Sequence, residues 1–431
     1  MKTTQLLQVS CLTLAISSVL TTSANAGQLA DIYQLALNND PQLKAAEAAY
    51  NADKEIEIQS RASLLPSLSL SANTTSMDSD TAHYNNHGYT LSLSQPVFNA
   101  ASWFTFKQGK VLSQQASLQF DVEQQTLISR TVEAYLSVLR AKSELQTSEA
   151  QERAIKRRLD QVNAQFEVGL IANTDVQEAQ ASYDNARVAR IAAEGDLDNS
   201  YEELARLTGQ NFDVIAELSE DYPIEEPTPA QAKPWLDKAM TSNLNLKIAN
   251  LATESARRAA QAGHAGHYPT LSLSASYDYD DGTSSTDYGT DTSSIGLTLS
   301  VPLYSGGSIS SKSRELEQRL VQTQFNKDDT LRAVTQSTRS LLRDLRTGAL
   351  SVRALKQSIK SSEIALQATE EGYNVGTRNV VDVLQAEQQL YTSKRDYATA
   401  RFNFVQNLTT FKQQIGTLNP EDINELDRWL K

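Results

Sequence analysis

Cysteine is nearly missing from this chain of 431 residues: the one present, Cys11, lies among the first dozen. With that segment removed, neither a disulfide nor a thiolate metal site can hold the fold together. Beyond the first twenty residues no apolar run reaches about 18 residues, which excludes a membrane-spanning helix in the mature chain. Positive charge is also short, with 39 Lys and Arg against 52 Asp and Glu. An acidic balance of this size disfavours nucleic acid as a partner. Catalytic patterns are missing too: there is no GxSxG, and no glycine loop of the phosphate-cradling kind. The four histidines offer little. His264-x-x-His267 lacks partner acids, and His83 and His87 fall in a polar stretch that reads as a loop. No enzyme activity, metal or cofactor is expected, so any work this protein takes part in must draw its energy from a partner.

The first residues read as an address. Lys2 supplies a positive start, Leu6 to Leu20 an apolar stretch, and Ala24-Asn25-Ala26 a cleavage site, giving a signal peptide over 1–26 and a mature start at Gly27. Cys11 comes too early, with Gln8 three residues before it, to be a lipid attachment site. Removal takes Lys2 away, so the net charge moves from −13 to about −14 (38 − 52).

The remaining chain says the same thing twice. Phe166-Glu167-Val168-Gly169 with Asp175-Val176 returns as Tyr373-Asn374-Val375-Gly376 with Asp382-Val383, an offset of 207 (376 − 169). Leu91-Ser92-Leu93-Ser94 returns as Leu297-Thr298-Leu299-Ser300 at offset 206 (297 − 91). A near-constant offset across separate motifs marks a duplicated unit. The first repeat covers about 28–210 and the second about 235–418. Between them lies an acidic, proline-bearing connector over 211–234, read as a packed belt, and a tail over 419–431 follows.

Each repeat carries helices, two strands, then a long rod and a returning helix. Leu68, Leu70 and Ala72 alternate with Ser67, Ser69 and Ser71, and Leu271, Leu273 and Ala275 repeat the pattern. Period two with Leu against Ser means strands with one oily face and one small, wet face. The stretches Thr75–Gly88 and Asp278–Ser293 read as polar loops between them. From Ala100 to Val168 nothing interrupts a helix except Gly109, and a matching run goes from about Ser308 to Val375. At 1.5 Å per residue each rod is roughly 100 Å long. Apolar or small residues recur in steps of three and four, as in Val334, Thr338, Leu341, Leu345 and Leu127, Thr131, Ala134, Val138. That is a coiled-coil seam in the same phase in both halves. Gly169 and Gly376 end the rods at the C′ position, making the tip turns. Thr174 with Gln177, and Asn379 with Asp382, are read as the caps that open the returning helices.

Four half-oily strands cannot close a barrel alone, and left open they present two unpaired edges and an oily face. If that face meets lipid, the sheet must close into a ring. Two chains give eight strands and a filled interior, so a conduit favours three chains and twelve strands. Phe98, Trp103, Phe104 and Tyr304, at the junction of strand and rod, suit an interfacial girdle. The expected fold class is therefore an α+β membrane protein: a trimeric 12-stranded β-barrel, four strands per chain, continued by a long α-helical coiled-coil barrel. The competing reading is a secreted or surface structural coiled coil without channel activity.

These residues also carry a resemblance. Gly372-Tyr373-Asn374-Val375-Gly376-Thr377-Arg378-Asn379-Val380-Val381-Asp382-Val383-Leu384, with Phe166 to Val176, Gly266 to Leu271, Pro302 to Gly307 and Gly416 to Asn419, resembles the TolC outer-membrane channel family in the same order along the mature chain. The resemblance implies a homotrimer in the outer membrane of a Gram-negative bacterium, with its helical tunnel in the periplasm. It also implies docking onto a periplasmic adaptor protein and an inner-membrane transporter, for drug efflux or type I protein secretion. In that family a Tyr and an Arg near the tip tie the inner coil to an Asp of the outer one, and the matching places are taken to be Tyr373, Arg378 and Asp160. From the residues alone, Tyr373 is a seam residue and Arg378 a solvated turn residue. The family also narrows its lumen with two aspartates three residues apart. Here those places hold Asp382 and Gln385, which implies about three charges per trimer where the family has about six, and weaker binding of divalent cations.

Overall fold

The computed structural model describes residues 28–79, 82–229, 231–281 and 289–431. The leader and Cys11 lie outside them. The first repeat runs α1 (Leu29–Asn39), α2 (Pro41–Ala62), β1 (Ser67–Ser79), β2 (Ala82–Phe98), α3 (Ala100–Glu167) and α4 (Asn173–Thr208). The second runs α5 (Ala232–Ser242), α6 (Leu244–Ala265), β3 (Thr270–Asp281), β4 (Thr290–Ser300), α7 (Ser308–Asn374) and α8 (Val380–Gln414), and α9 (Pro420–Asp427) closes the chain. The short helix pairs break at matching places. Asp40 caps α2 by accepting from the Leu43 N–H at 3.0 Å, and Asn243 caps α6 by accepting from Leu246 at 2.9 Å.

The four strands form one antiparallel sheet in the order β1-β2-β3-β4, so the two halves are joined at β2–β3. The register sets Leu70 opposite Leu91, Leu91 opposite Tyr277, and Ala275 opposite Ile295, which puts the oily residues on one face. On the other face Ser69 meets Ser92 at 2.8 Å and Ser276 meets Ser294 at 2.9 Å, hydroxyl to hydroxyl. The oily face is bare: Leu70 is 70% exposed and Ile295 77%. Neither β1 nor β4 has an outer neighbour among the described residues. No helix among the described residues is long and apolar enough to cross a membrane. A sheet with this much uncovered apolar surface is incomplete as a soluble structure.

Both loops expected between the strands are shorter than their sequences suggest. β1 and β2 stay in register out to Ser79 and Ala82, and β3 and β4 out to Asp280 and Thr290. Alternation of Leu with Ser stops at Ala72, but ladder bonds join backbone groups and continue under polar side chains. His87 is accordingly a strand residue, its Nδ1 2.9 Å from the Thr74 hydroxyl. His83 is in β2 as well, and residues 282–288 of the second expected loop, Asp287 included, lie outside the described residues.

The core sits midway along the rods. Leu29, Ile32, Leu127, Tyr135, Leu204, Ile215 and Ile423 are fully buried there, and the connector and the tail close over them. Lys431 and Glu217 exchange two backbone bonds at 2.8 and 2.9 Å, and the Ser219 N–H donates to the Trp429 carbonyl at 2.8 Å. The connector is thus a packed belt, although its last residues already belong to α5. Below it the seam continues through Ser148, Ile155, Leu159 and Val162 on α3, all buried.

Candidate functional site

Two helical tips end the rods, and the sequence folds each through a glycine. Gly169 has φ +74° and Gly376 φ +80°, the left-handed region that an L side chain enters at a cost. At the first tip the Leu170 N–H donates to the Gln165 carbonyl and the Gly169 N–H to that of Phe166, both at 2.9 Å. At the second, Thr377 donates to Gly372 at 2.8 Å and Gly376 to Tyr373 at 3.0 Å. Both are Schellman turns. The returning helices start differently. Asn379 and Asp382 form the expected reciprocal box, with the Asp382 N–H donating to Asn379 Oδ1 at 2.8 Å and the Asn379 N–H to Asp382 Oδ2 at 3.3 Å. The cap expected from Thr174 and Gln177 is not made: α4 begins two residues earlier, behind Ala172, whose side chain has nothing to offer the helix.

Of the three expected gate residues, Tyr373 ties the two coils together. Its hydroxyl donates to Gln165 Oε1 of α3 at 2.5 Å. Burial pushes the phenol above its ordinary value, the Arg158 charge opposes that, and the nearby Asp175 carboxylate adds to it. Asp160 is not the partner within the chain. It follows the buried Leu159 and so points about 100° away from the seam. There it is exposed and takes Lys156 at 2.9 Å, one turn back on its own helix. The acid that stands near Tyr373 is Asp175, the first-half counterpart of Asp382 (382 − 175 = 207). Arg378 lies 61% exposed, with Asp382 at a loose 3.9 Å. Its side chain crosses the last turn of α7, where a Cβ on Gly372 would come within 2.8 Å of its Cγ. Asp382 is half-buried and Gln385 exposed, three residues apart on the first turns of α8.

A second tie between the coils escaped the sequence reading. Arg158 of α3 reaches Glu370 of α7 and, at 3.3 Å, Glu387 of α8. Its side chain is 10% exposed and that of Glu387 6%. Burial raises the Glu387 carboxyl above the ordinary carboxylate range, with the Arg158 charge working against it. The signal was present: Glu387 interrupts an otherwise apolar series, Val380, Leu384, Leu390, on one side of α8. A charge in such a place implies a buried partner. Further up, the Tyr391 hydroxyl donates to the Ala150 carbonyl at 3.2 Å and Arg395 pairs with Glu144 at 3.1 Å.

No group of three or more metal-ligating side chains occurs among the described residues. His264 pairs instead with Glu317, across from α6 to α7, at 2.7 Å on the surface. The profile of the family described as "Outer membrane efflux protein" matches residues 32–210 and 235–417, one match per repeat. The chain belongs to the outer membrane efflux protein family. It is 34% identical over 426 residues to the outer membrane protein TolC of Vibrio cholerae, covering 97% of both chains. It is 29% identical to the alkaline protease secretion protein AprF of Pseudomonas aeruginosa, covering 92% of this chain and 85% of that one. In fold it is similar to the outer membrane protein VceC of Vibrio cholerae, with a TM-score of 0.78 at 18% identity over 90% of this chain and 96% of that one. In an efflux protein of this architecture, the bare face of the sheet is the surface turned to lipid, and the tips are the far end of the duct.

Proposed function

We propose that this protein is a passive exit duct in the outer membrane, assembled from three copies and gated at its periplasmic tips. Three four-stranded sheets joined edge to edge make a 12-stranded barrel, and the rods beneath it make a tunnel. The observation that carries this reading is the sheet itself. It has two open edges and a bare oily face, and it runs directly into helices of 68 and 67 residues. A lone structural coiled coil has no use for such a sheet. At the junction, Lys107 lies over the rings of Trp103 and Phe104 at 5.2 and 5.8 Å, a cation and aromatics where lipid headgroups begin.

The duct serves tripartite drug efflux, type I protein secretion, or both, through a periplasmic adaptor and an inner-membrane transporter that supplies the energy. Its gate is Tyr373 and Arg378 at the second tip. Tyr373 holds its own chain's α3 through Gln165. Arg378, exposed and loosely held within its own chain, takes the exposed Asp160 of an outer coil as its partner in the assembled ring. Asp382 lines the narrowest ring with Gln385 beside it, which makes the pore cation-preferring and only weakly blocked by divalent cations.

The test is the purified protein in planar bilayers. Arg378→Ser with Tyr373→Phe removes up to two bonds per chain, each about 0.5–3 kcal/mol before solvent screening at Arg378. The expected result is a detergent-requiring trimer whose conductance rises markedly in the double variant. A monomer soluble in plain buffer would overturn the duct, and unchanged conductance in a correctly assembled double variant would overturn the gate.

A further inference from the structure

The two tip turns are alike in backbone and differ in what crosses them. The repeat sets Gln165 against Gly372 (372 − 207 = 165), Leu170 against Thr377 (377 − 207 = 170) and Ile171 against Arg378 (378 − 207 = 171). Both turns close by the same bond: the Gln165 carbonyl takes the Leu170 N–H at 2.9 Å, and the Gly372 carbonyl takes the Thr377 N–H at 2.8 Å. Gly372 lies within α7 and is not among the glycines of positive φ. A residue with a full side chain, Gln165, serves the same backbone place in the first half, so the turn itself has no need of glycine there. Without that need, glycine in the last turn of a helix only gives up helix propensity. Something other than the backbone requires it.

The side chain of Arg378 is what takes the space. A Cβ at 372 would come within 2.8 Å of Arg378 Cγ, closer than side-chain carbons approach one another, and 3.2 Å from the Thr377 hydroxyl. The Arg378 backbone is not free to retreat. Its N–H and that of Thr377 both donate to the Gly372 carbonyl, at 3.2 and 2.8 Å, and the Thr377 hydroxyl donates to the same oxygen at 3.0 Å. Cγ is placed by χ1, so relieving the clash means turning the whole arm into another staggered position, about 120° away. That turn carries the guanidinium to a different side of the tip. The first tip has no charged group to aim, since Ile171 stands there. It keeps Gln165 in the matching place and uses that side chain to receive the Tyr373 hydroxyl.

We propose that Gly372 is a positioning residue of the gate: a saddle, bare of side chain, over which Arg378 passes towards its partner in the assembled ring. The inference rests on the gate argued under Proposed function and adds the residue that aims its cation. Arg378 is 61% exposed and has Asp382 only at 3.9 Å, so no close ion pair among the described residues fixes its direction. The three bonds on the Gly372 carbonyl and the open space above that residue fix it instead. A charge-assisted bond depends on the direction of its donor as well as on distance. An arm that leaves the turn at another angle keeps its charge and loses the latch. Any side chain at 372 acts as alanine does, because the first added carbon already meets Cγ.

The test is a double-mutant cycle in planar bilayers: Gly372→Ala, Arg378→Ala and the two together, with trimers verified by light scattering in detergent. Arg378→Ala has no γ carbon, so nothing of the arm remains over the saddle. Gly372→Ala alone should raise conductance by at least half of the rise that Arg378→Ala brings, and added to Arg378→Ala it should raise it no further. Hydrogen exchange in the last turn of α7 should be no faster in the double variant than in Arg378→Ala, because alanine favours the helix. Unaltered conductance in Gly372→Ala would overturn the saddle and leave the gate standing, as would an equal rise with and without Arg378. Unaltered conductance in Arg378→Ala would overturn Arg378 as a gate residue, and the role of Gly372 with it. If Gly372→Ala fails to assemble, the double variant decides. Assembly regained without Arg378 upholds the contact, and failure in both overturns the proposal, since the turn itself would then require the glycine.

Discussion

The two tips have the same turn and different fastenings. Each rod ends in a left-handed glycine with the same pair of backbone bonds, yet the second tip adds a capping box and the first has no side-chain cap. The rods differ as well. α3 carries the buried series of the core, Leu127 to Leu139, whereas α7 buries little beyond Val352 and is exposed over most of its lower length. Near the core α8 is fastened to α3 by the buried Phe402 and Val405, but towards the tip the α7–α8 hairpin is joined to α3 by several polar groups: Tyr373 to Gln165, Arg158 to Glu370 and Glu387, Arg395 to Glu144. Val380 and Leu384 are the main apolar contribution from its lower end. A unit that keeps its own caps and is attached by polar bonds can move as a body. A unit fastened through the core cannot. Duplication supplied two similar hairpins, and the tip of the second is the one with the capping box and the polar ties.

The largest way to break that asymmetry is Arg158→Ala. It strands Glu387, and removing one member of a buried pair costs about 3–5 kcal/mol. The α7–α8 hairpin should come away from α3, seen as faster hydrogen exchange over 380–391 and higher single-channel conductance, while amides near Leu127 and Tyr135 keep their protection. Equal loss of protection in both places would mean that the hairpin is not a separate unit. Acidity should act in the opposite sense. Because burial raises the folded-state carboxyl of Glu387, the attachment is firmest below its ordinary value and weakens as pH rises through the raised one. Arg158 keeps Glu370 throughout. Glu387→Gln should therefore flatten the pH dependence of exchange in 380–391 above the ordinary carboxylate range.

Much of this was legible in the sequence, and the remainder has a common cause. Seams, rods, strand faces and tip glycines follow from local periodicity, and each stands where the repeat puts it. The hairpin ends did not, because the ladder continues where Leu–Ser alternation stops. Within one chain Asp160 meets Lys156 and not Tyr373, because one residue past Leu159 the helix has already turned it to solvent. Asp175 could have been found from its own repeat, as the mirror of Asp382. Arg158 with Glu387 joins positions 229 residues apart (387 − 158), and nothing local in either one names the other.

A milder pair of changes asks whether the turns are as alike as their geometry. Nothing lies within 4 Å of an added Cβ at Gly169 or Gly376, so Gly→Ala at either is a test of backbone conformation alone. Each should cost about 1–2 kcal/mol, lowering the stability of its own hairpin and leaving the other unchanged in hydrogen exchange. A much larger cost at Gly376 would mean that the second turn is held in a tighter surround than this chain provides.

The smallest expected effect bears on the difference itself. Asn379→Ala deletes the cap of the second tip and should cost about 1 kcal/mol. Ala172→Asn should give the first tip the cap it lacks, since the residue is already extended at φ −82° and ψ 154°, the backbone a cap requires. The gain should approach the loss at Asn379, read as slower amide exchange in the first turn of α4. The two changes together move the advantage from one hairpin to the other without touching the seam, the glycines or the polar ties. If the capping box is part of what lets α7–α8 move as a body, Asn379→Ala should fray the start of α8 and lower the share of long, single-step openings in bilayers, and Ala172→Asn should leave the openings as they were. Identical gating in both variants would show that the caps serve only the local stability of their helices, and would leave the polar ties as the whole of the functional difference.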